Sequence, residues 1–260
     1  MAACDASDGL KDGLVSNPTT CHVDPQALVC GAGDTKDCLT PAQVATVRGL
    51  WAPISTTPSQ NEFPSPLLLP GAELGWATLA GSEPIRNAAD VLRYIVFQDP
   101  SWNWRTFNAK TDLSRAADAT RSVDATDPDL RPFFSRGGKL LMYHGWADPQ
   151  VSPYTSINYF SDVAKIAGAD SVGRAVQLYM APGMNHCRGG EGPDTFDFVA
   201  AMESWVRTGA APAQVIGAHR TAGAVDRTRP VCAYPQVAMY RGSGSIDDAA
   251  NFSCAAAPSK

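Results

Sequence analysis

Lys139-Leu140-Leu141-Met142-Tyr143-His144 runs directly into Gly145-Trp146-Ala147-Asp148-Pro149, and these two segments decide the fold class of the chain. A compact apolar run of this length, stopped by glycine and proline, is typical of a buried parallel strand. The sequence therefore predicts a strand that ends near residue 144, with the carboxylate of Asp148 in the loop that follows it.

A second segment repeats this pattern. Ala175-Val176-Gln177-Leu178-Tyr179-Met180 predicts another strand, and His186 follows it in a loop. A helix is predicted between the two strands, from about Pro153 to Ala167. After the second strand, Asp194 is predicted to cap a helix that Gly209 closes. The predicted apolar face of that helix comprises Phe198, Val199, Met202, Trp205 and Val206. Strand, loop and helix in alternation predict an α/β sheet.

Asp148 and His186 each follow a predicted strand, which is where open α/β sheets place their chemistry. An acid before a histidine is the order of the last two triad members in an α/β-hydrolase. In that arrangement His186 is the base that activates a serine, and Asp148 orients it and stabilises the imidazolium. The alternative is two ordinary loop residues. His144 is expected to be a core histidine with satisfied hydrogen bonds, and His22 and His219 have no partner visible in the sequence.

The nucleophile of such a triad is missing. The sequence contains no Gly-x-Ser-x-Gly, and Gly242-Ser243-Gly244-Ser245 follows the histidine, where this triad order places no serine. Residues before about 126 show no run of strands that could complete a sheet. We therefore expect a fragment that lacks its nucleophile.

An acidic loop lies near the start of the chain, within Cys4-Asp5-Ala6-Ser7-Asp8-Gly9-Leu10-Lys11-Asp12-Gly13-Leu14. Carboxylates this close repel one another, and calcium accepts 6–8 oxygen ligands in a flexible geometry. The spacing is not that of an EF-hand. The predicted ligands are the carboxylates of Asp5, Asp8 and Asp12 and the carbonyls of Leu10 and Leu14. The alternative is a pair of solvated Asp-Gly turns.

Seven cysteines set the expected compartment. Cys4 and Cys21, Cys30 and Cys38, and Cys232 and Cys254 are close in sequence and indicate local disulfides, each stabilising by roughly 3 kcal/mol. Disulfides indicate an oxidising compartment, so the protein is expected to be secreted or periplasmic, although Met1-Ala2-Ala3 opens no signal peptide. Cys187 is left over. A formal charge of −5 with 18% charged residues favours neither a nucleic-acid partner nor a membrane surface.

The first half of the chain has weaker signals. Thr40-Pro41-Ala42-Gln43 predicts a helix start, and that helix is expected to end near Leu50. Residues 51–75 are expected to form a loop. A second helix is predicted over Asn87–Phe97, with an apolar face of Val91, Leu92, Tyr94 and Ile95. The aromatic residues that follow pack a small core or line an aromatic substrate pocket, and the pocket candidates are Trp102, Trp104 and Val151.

Motifs spread along nearly the whole chain resemble the C-terminal portion of the tannase/feruloyl esterase family. They are Cys4–Gly13, Cys38-Leu39-Thr40-Pro41-Ala42-Gln43, Asp99-Pro100-Ser101-Trp102-Asn103-Trp104, His144–Pro149, Gly183-Met184-Asn185-His186-Cys187, Arg229-Pro230-Val231-Cys232-Ala233-Tyr234-Pro235 and Asn251-Phe252-Ser253-Cys254. The resemblance implies an α/β-hydrolase with a calcium-binding, disulfide-pinned lid at 1–125 and the C-terminal part of the catalytic domain at 126–260. It implies hydrolysis of aromatic esters, gallate-like or hydroxycinnamate-like.

The same resemblance implies residue roles. It assigns calcium to the five acidic-loop ligands already named, the triad acid to Asp148 and the triad base to His186. It pairs Cys4 with Cys21, Cys30 with Cys38, and Cys232 with Cys254, and joins Cys187 to a cysteine upstream of this chain. It also implies that the serine lies upstream of Met1, so this chain alone is expected to be inactive. The remaining alternative is a non-catalytic, calcium-stabilised binding module for phenolic or glycan ligands. A metalloenzyme is disfavoured because no histidine pair has ligand spacing.

Overall fold

A computed structural model describes residues 3–33, 36–53, 66, 68–79 and 81–257. The helices of this part of the chain are α1 Pro41–Trp51, α2 Arg86–Asp90, α3 Ala109–Thr120, α4 Arg131–Phe134, α5 Tyr154–Ala167, α6 Ala169–Ala175 and α7 Phe198–Thr208. Its strands are β1 Leu140–Gly145, β2 Val176–Ala181, β3 Thr195–Phe196, β4 Gln214–Thr221, β5 Ala224–Cys232, β6 Gln236–Tyr240 and β7 Phe252–Ala256. The expected mixture of helices and strands is confirmed.

The predicted pair of parallel strands is present. β1 pairs with β2 from Leu140 opposite Val176 to Gly145 opposite Ala181. The chain crosses from one strand to the other through α5 and α6, and α5 packs on both strands. The core between them is apolar because Ile157 of α5 meets Leu178 and Met180 of β2 in one buried cluster. This unit brings the carboxyl ends of both strands to the same edge.

The C-terminal strands were not predicted. β4 joins β3 and β5 in an antiparallel sheet, and β6 pairs with β7 as a separate antiparallel ladder. β4 alternates between buried and exposed residues, with Val215 8% exposed and Ile216 48% exposed. A half-exposed strand such as β4 lacks the continuous apolar run that marks a parallel strand, so it was not recognised from the sequence.

The helix after the second strand starts later than predicted. α7 is capped by Asp197, whose Oδ1 accepts a hydrogen bond from the Ala200 N–H at 2.8 Å. The predicted cap, Asp194, instead accepts from the Gly189 N–H at 2.7 Å and holds the preceding loop. Trp205 is fully buried, whereas Val199 and Val206 are 71% and 66% exposed. These two valines follow Phe198 and Trp205 by one residue, a turn of about 100° that carries them off the buried face.

The predicted helices of the first half are present, with one difference in packing. α1 begins at Pro41 with a capping box between Thr40 and Gln43. α2 continues into a π-helical turn over Val91–Val96. Three residues of the predicted apolar face are partly exposed, because a 3.6-residue pattern does not describe the wider π-helical turn: Val91, Tyr94 and Ile95. Of the predicted loop at 51–75, residues 54–65 and 67 lie outside the described part.

All three predicted disulfides are confirmed: Cys4–Cys21, Cys30–Cys38 and Cys232–Cys254. Cys187 is an exposed free cysteine. The domain boundary near residue 125 stays a prediction. No helix in the described part of the chain is both long enough and apolar enough to span a membrane.

Candidate active site

The loops that follow β1 and β2 are bound to each other. The Trp146 N–H donates to the Ala181 carbonyl at 2.9 Å, and the Ala147 N–H donates to the Met184 carbonyl at 3.0 Å. Gly145 makes this approach feasible, since a Cβ there would lie 2.1 Å from the Met184 carbonyl oxygen. The result is a direct contact between Asp148 Oδ2 and His186 Nδ1, which are 2.7 Å apart.

Asp148 is held on both carboxylate oxygens. Its Oδ1 accepts hydrogen bonds from the N–H groups of Gln150 at 2.8 Å and Val151 at 3.0 Å. Its Oδ2 accepts from His186 and lies 3.1 Å from His144 Nε2. Burial alone would raise the pKa of Asp148, but the hydrogen bonds from His144, Val151, His186 and Gln150 outweigh it and lower the pKa to about 2. The side chain is therefore a buried anion at neutral pH.

His186 is more open than its partner. Its side chain is 42% exposed, whereas that of Asp148 is 2% exposed. The bond to a carboxylate makes Nδ1 the protonated ring nitrogen, so Nε2 carries the free electron pair. Within the described residues no hydroxyl is hydrogen-bonded to this histidine. Chemically, the pair can take a proton at Nε2 and stabilise the resulting imidazolium.

His144 is a member of this cluster that sequence reasoning missed. It is a satisfied, nearly buried histidine, as expected, with a side chain only 10% exposed. Its partners, however, are Ser156 Oγ at 2.8 Å, the Val151 carbonyl at 3.2 Å and Asp148 Oδ2. The one sequence signal for this contact is the Gly145–Asp148 turn after β1. This turn brings Asp148 back beside His144, near the end of the same strand.

The acidic loop folds back on itself. Asp5 Oδ1 accepts from the N–H groups of Asp12 at 3.0 Å and Gly13 at 2.8 Å. Asp8 accepts from the Leu10 and Ser16 N–H groups. Asp12 accepts from the Leu14 N–H, and its other oxygen lies 2.7 Å from Arg229 Nη2. The conformation of the loop is thus fixed mainly by hydrogen bonds from its own backbone N–H groups to its carboxylates.

The fit of this loop to calcium is incomplete. Oxygen-only donors suit the ion. In the described part of the chain, however, no three Asp, Glu, His or Cys side chains converge closely enough to hold a metal. Asp12 already has a cationic partner, because the side chains of Asp12 and Arg229 are each 1% exposed and paired. The residues as placed do not form a ready calcium site, and the predicted carbonyls of Leu10 and Leu14 have no confirmed role.

The predicted pocket residues fall into two groups. Val151 lies beside the cluster, since its N–H donates to Asp148 and its carbonyl faces His144. Trp102 stacks on Phe97 at 4.8 Å between ring centroids. Trp104 donates from Nε1 to Glu83 at 2.6 Å. Neither tryptophan contacts His186 in the described part of the chain, so their role in binding stays a prediction.

Comparison with known proteins gives consistent matches. The family model described as "Tannase and feruloyl esterase" matches residues 1–255. An uncharacterised esterase from Xanthomonas campestris pv. campestris is 32% identical over 99% of this chain and 53% of its own length. Mono(2-hydroxyethyl) terephthalate hydrolase from Piscinibacter sakaiensis is 33% identical over 99% of this chain and 50% of its own length.

Solved structures are similar as well. The crystal structure of feruloyl esterase B from Aspergillus oryzae is 30% identical, covers 97% of this chain and 54% of its own, and superposes with a TM-score of 0.85. The chain thus spans about half the length of the relatives it matches. Because the family model extends over nearly the whole sequence, the chain belongs to the tannase and feruloyl esterase family.

Proposed function

We propose that this chain supplies the acid and base residues of a carboxylic ester hydrolase that acts on aromatic esters by a Ser-His-Asp mechanism. The observation that carries the proposal is the 2.7 Å contact between His186 Nδ1 and the buried carboxylate of Asp148. It supplies an oriented base with one free nitrogen, which is the chemistry that an ester hydrolase needs. Members of the family are ester hydrolases by their descriptions.

The proposed reaction has two proton transfers through His186. Nε2 takes the serine proton as the serine oxygen attacks the ester carbonyl, and it then protonates the departing alcohol. Water repeats the sequence on the acyl-enzyme, with His186 again as base, and releases the carboxylic acid. Asp148 stays ionised throughout. It holds the ring with Nδ1 protonated and stabilises each imidazolium.

We propose that the serine lies outside these 260 residues, so that this chain alone is inactive. Three observations support this. The sequence has no Gly-x-Ser-x-Gly, and the relatives are about twice as long. In the described part of the chain, β1 pairs with β2 alone, and Tyr143 on β1 is 41% exposed. A strand whose second edge is unpaired is suited to pairing with a further strand from the rest of the protein.

The substrate class is proposed from relatives. Two relatives, feruloyl esterase B and mono(2-hydroxyethyl) terephthalate hydrolase, have names that refer to esters of aromatic acids. Val151 is the pocket candidate with structural support, because it adjoins the Asp148 carboxylate. Trp102 and Trp104 remain candidates from the sequence. We propose an extracellular or periplasmic location from the three disulfides.

Calcium binding is also proposed, as a structural role in the acidic loop. The support is the set of carboxylates at Asp5, Asp8 and Asp12 together with the family resemblance. Binding would require these side chains to leave some of their present hydrogen bonds, because they do not converge as placed. No step of the reaction depends on the ion.

Labelling with a fluorophosphonate probe tests the mechanism without knowledge of the substrate. The expected result is no labelled serine in the purified 260-residue chain. When the chain is expressed with its upstream coding sequence, one serine outside these residues should be labelled. That longer protein should hydrolyse methyl ferulate or methyl gallate faster than ethyl butyrate. A probe adduct on any serine within the 260 residues would contradict the proposed position of the nucleophile.

A further inference from the structure

Two histidines share one oxygen of the buried carboxylate. His186 Nδ1 lies 2.7 Å and His144 Nε2 lies 3.1 Å from Asp148 Oδ2. The mechanism proposed above uses only His186. His144 is the more enclosed of the two, with a side chain 10% exposed against 42% for His186. A nearly buried histidine that is hydrogen-bonded to the proposed triad acid is placed to affect how that acid holds His186.

The contacts of His144 determine its tautomer. Nε2 faces two acceptors, Asp148 Oδ2 and the Val151 carbonyl at 3.2 Å. A bare nitrogen would be repelled by both oxygens, so Nε2 carries the proton and donates. Nδ1 lies 2.8 Å from Ser156 Oγ, which can donate its hydroxyl hydrogen. With Ser156 as donor, Nδ1 accepts and both ring nitrogens are satisfied by hydrogen bonds.

We propose that His144, held as the Nε2–H tautomer by Ser156, is a positioning residue for Asp148. This inference rests on the proposed function, in which Asp148 orients His186. Two backbone N–H groups fix Oδ1 of the carboxylate, and the His144 N–H fixes Oδ2 from a second direction. The carboxylate cannot then rotate without breaking a bond, and its remaining lone pair on Oδ2 points to His186 Nδ1.

The neutral state of His144 matters for this role. A cationic His144 would be a second positive charge beside the imidazolium that forms on His186, with the same oxygen as its partner. A neutral N–H donor constrains the carboxylate and leaves its negative charge available to His186. In the described part of the chain, the hydrogen-bond partners of the ring are Asp148, Ser156 and the Val151 carbonyl. Asp148 is thus its one charged contact there.

Two-bond ¹H–¹⁵N imidazole spectra of the purified chain test this directly. The chain has four histidines, so single His22→Gln, His219→Gln and His144→Gln variants identify three rings directly and His186 by elimination. At neutral pH we expect Nε2–H for His144 and Nδ1–H for His186. An Nδ1–H tautomer or a cation at His144 would overturn the proposal.

Variants then separate positioning from mere packing. His144→Leu keeps much of the volume but removes the donor, so the His186 Nδ1–H signal should weaken towards the Nε2–H tautomer of free imidazole. His144→Gln can place an N–H near Asp148 Oδ2 and should retain the wild-type His186 signal. Circular dichroism and thermal unfolding confirm that each variant is folded. If a folded His144→Leu variant keeps the wild-type His186 tautomer, the proposal is wrong.

Activity of the longer protein gives the second readout. Hydrogen-bond partners of metal-ligating side chains are commonly worth 10–100-fold in activity, and we expect a similar scale for a partner of the triad acid. His144→Leu should therefore lower kcat by about 10- to 100-fold with little change in KM, and His144→Gln should recover most of it. Failure of the proposed function is distinguishable, because the tautomers are measured without turnover. Correct tautomers with no esterase activity in wild type would overturn the function alone. Unchanged kcat in a folded His144→Leu variant of an active enzyme would overturn the positioning role alone.

Discussion

Asp148 carries the most strongly perturbed charge in the candidate site. Four hydrogen-bond donors converge on a side chain that is 2% exposed. In the proposed mechanism these donors hold the carboxylate towards His186, and they also stabilise its ionised form. The proposed function and the stability of the fold therefore depend on the same ionised side chain, and acid should affect both.

We expect Asp148 to contribute to acid stability. Its pKa is about 2 when folded, against an ordinary value of 3.8. The contribution is full above the unfolded pKa and is lost as pH falls towards the folded pKa, and it amounts to roughly 2 kcal/mol. Urea unfolding at pH 5 and pH 2.5 should show a larger loss of unfolding free energy for wild type than for Asp148→Asn. Equal losses would contradict this assignment.

The Arg229–Asp12 pair is the buried ion pair that joins the two ends of the described chain. Arg229 Nη2 also donates to the Ile246 carbonyl at 2.9 Å, and its guanidinium lies 3.9 Å from the Phe252 ring centroid. Arg229→Met leaves the Asp12 carboxylate buried without its cation, so we expect a loss of about 3–5 kcal/mol.

The measurement is chemical denaturation in excess EDTA, which removes any calcium contribution. The matched control is Arg121→Met, because Arg121 pairs with Asp118 where both side chains are well exposed, at 79% and 67%. That change should cost less than about 1 kcal/mol. Similar losses of unfolding free energy for the two variants would mean that the buried pair stabilises the fold no more than an exposed pair.

At the scale of elements, the apolar pattern predicted β1, β2, α1 and α5 well. Each has a continuous apolar run or a capped, periodic stretch, such as the Thr40–Gln43 capping box. β4 escaped prediction because its residues alternate between buried and exposed, and β5 because Asp226, Arg227 and Arg229 interrupt its apolar residues. The cap of α7 was misplaced because Asp194 and Asp197 are both acceptable caps by residue type. Only the tertiary contact of Asp194 with the Gly189 N–H separates them.

The junction between β1 and the loop that carries His186 depends on a missing side chain. A Cβ at residue 145 would lie 2.1 Å from the Met184 carbonyl oxygen and 2.5 Å from that of Asn185. Gly145→Ala must therefore push the loop away from β1 and lengthen the contact between His186 and Asp148. We expect a loss of at least about 2 kcal/mol in stability.

Gly173→Ala is the matched control. This glycine lies in α6, and a Cβ there would meet no atom within 4 Å. Alanine is favoured over glycine inside helices by roughly 0.5–1 kcal/mol, so this variant should be neutral or stabilised. Thermal unfolding of both variants, with the His186 imidazole spectrum, provides the comparison. A Gly145→Ala protein with wild-type melting temperature and spectrum would refute the close approach.

At the scale of the whole molecule, the N-terminal loop is fastened to the C-terminal strands. Arg227 of β5 donates to the Asp12 carbonyl at 3.0 Å, next to the Arg229 pair. Ser152, four residues past Asp148, donates to the Pro66 carbonyl at 2.7 Å. These links connect the predicted lid with the segment that carries Asp148 and His186. They join residues up to 215 positions apart, a separation at which sequence patterns carry no pairing information.

The candidate site shows the same limit. The order of Asp148 and His186 and their positions after two strands were visible in the sequence. The contact of His144 with the Asp148 carboxylate was not visible, because it depends on the geometry of the turn between them and not on residue type. The acidic loop was read as a calcium site because three carboxylates repel one another, but the contribution of Arg229 could not be anticipated from that local repulsion.

Calcium is expected to stabilise the chain as a whole. If the acidic loop binds the ion, saturation at about 100 times Kd adds about 2.7 kcal/mol. For a chain of this length that corresponds to a rise in melting temperature of about 5–10 °C. Differential scanning calorimetry in calcium and in EDTA provides the measurement, with Asp8→Asn as the variant that should lose the shift. Identical melting curves in both conditions would exclude a structural calcium site.

The central claim is that Asp148 and His186 supply the acid and base of ester hydrolysis, and one comparison of kcat tests it most directly. In the longer protein, Asp148→Asn should lower kcat on methyl ferulate or methyl gallate by about 10³- to 10⁴-fold. The control is Asp226→Asn, since Asp226 makes the same 2.7 Å contact with His219 Nδ1 on the β4–β5 hairpin, and it should stay within about twofold of wild type. Wild-type kcat in a folded Asp148→Asn enzyme would contradict the account.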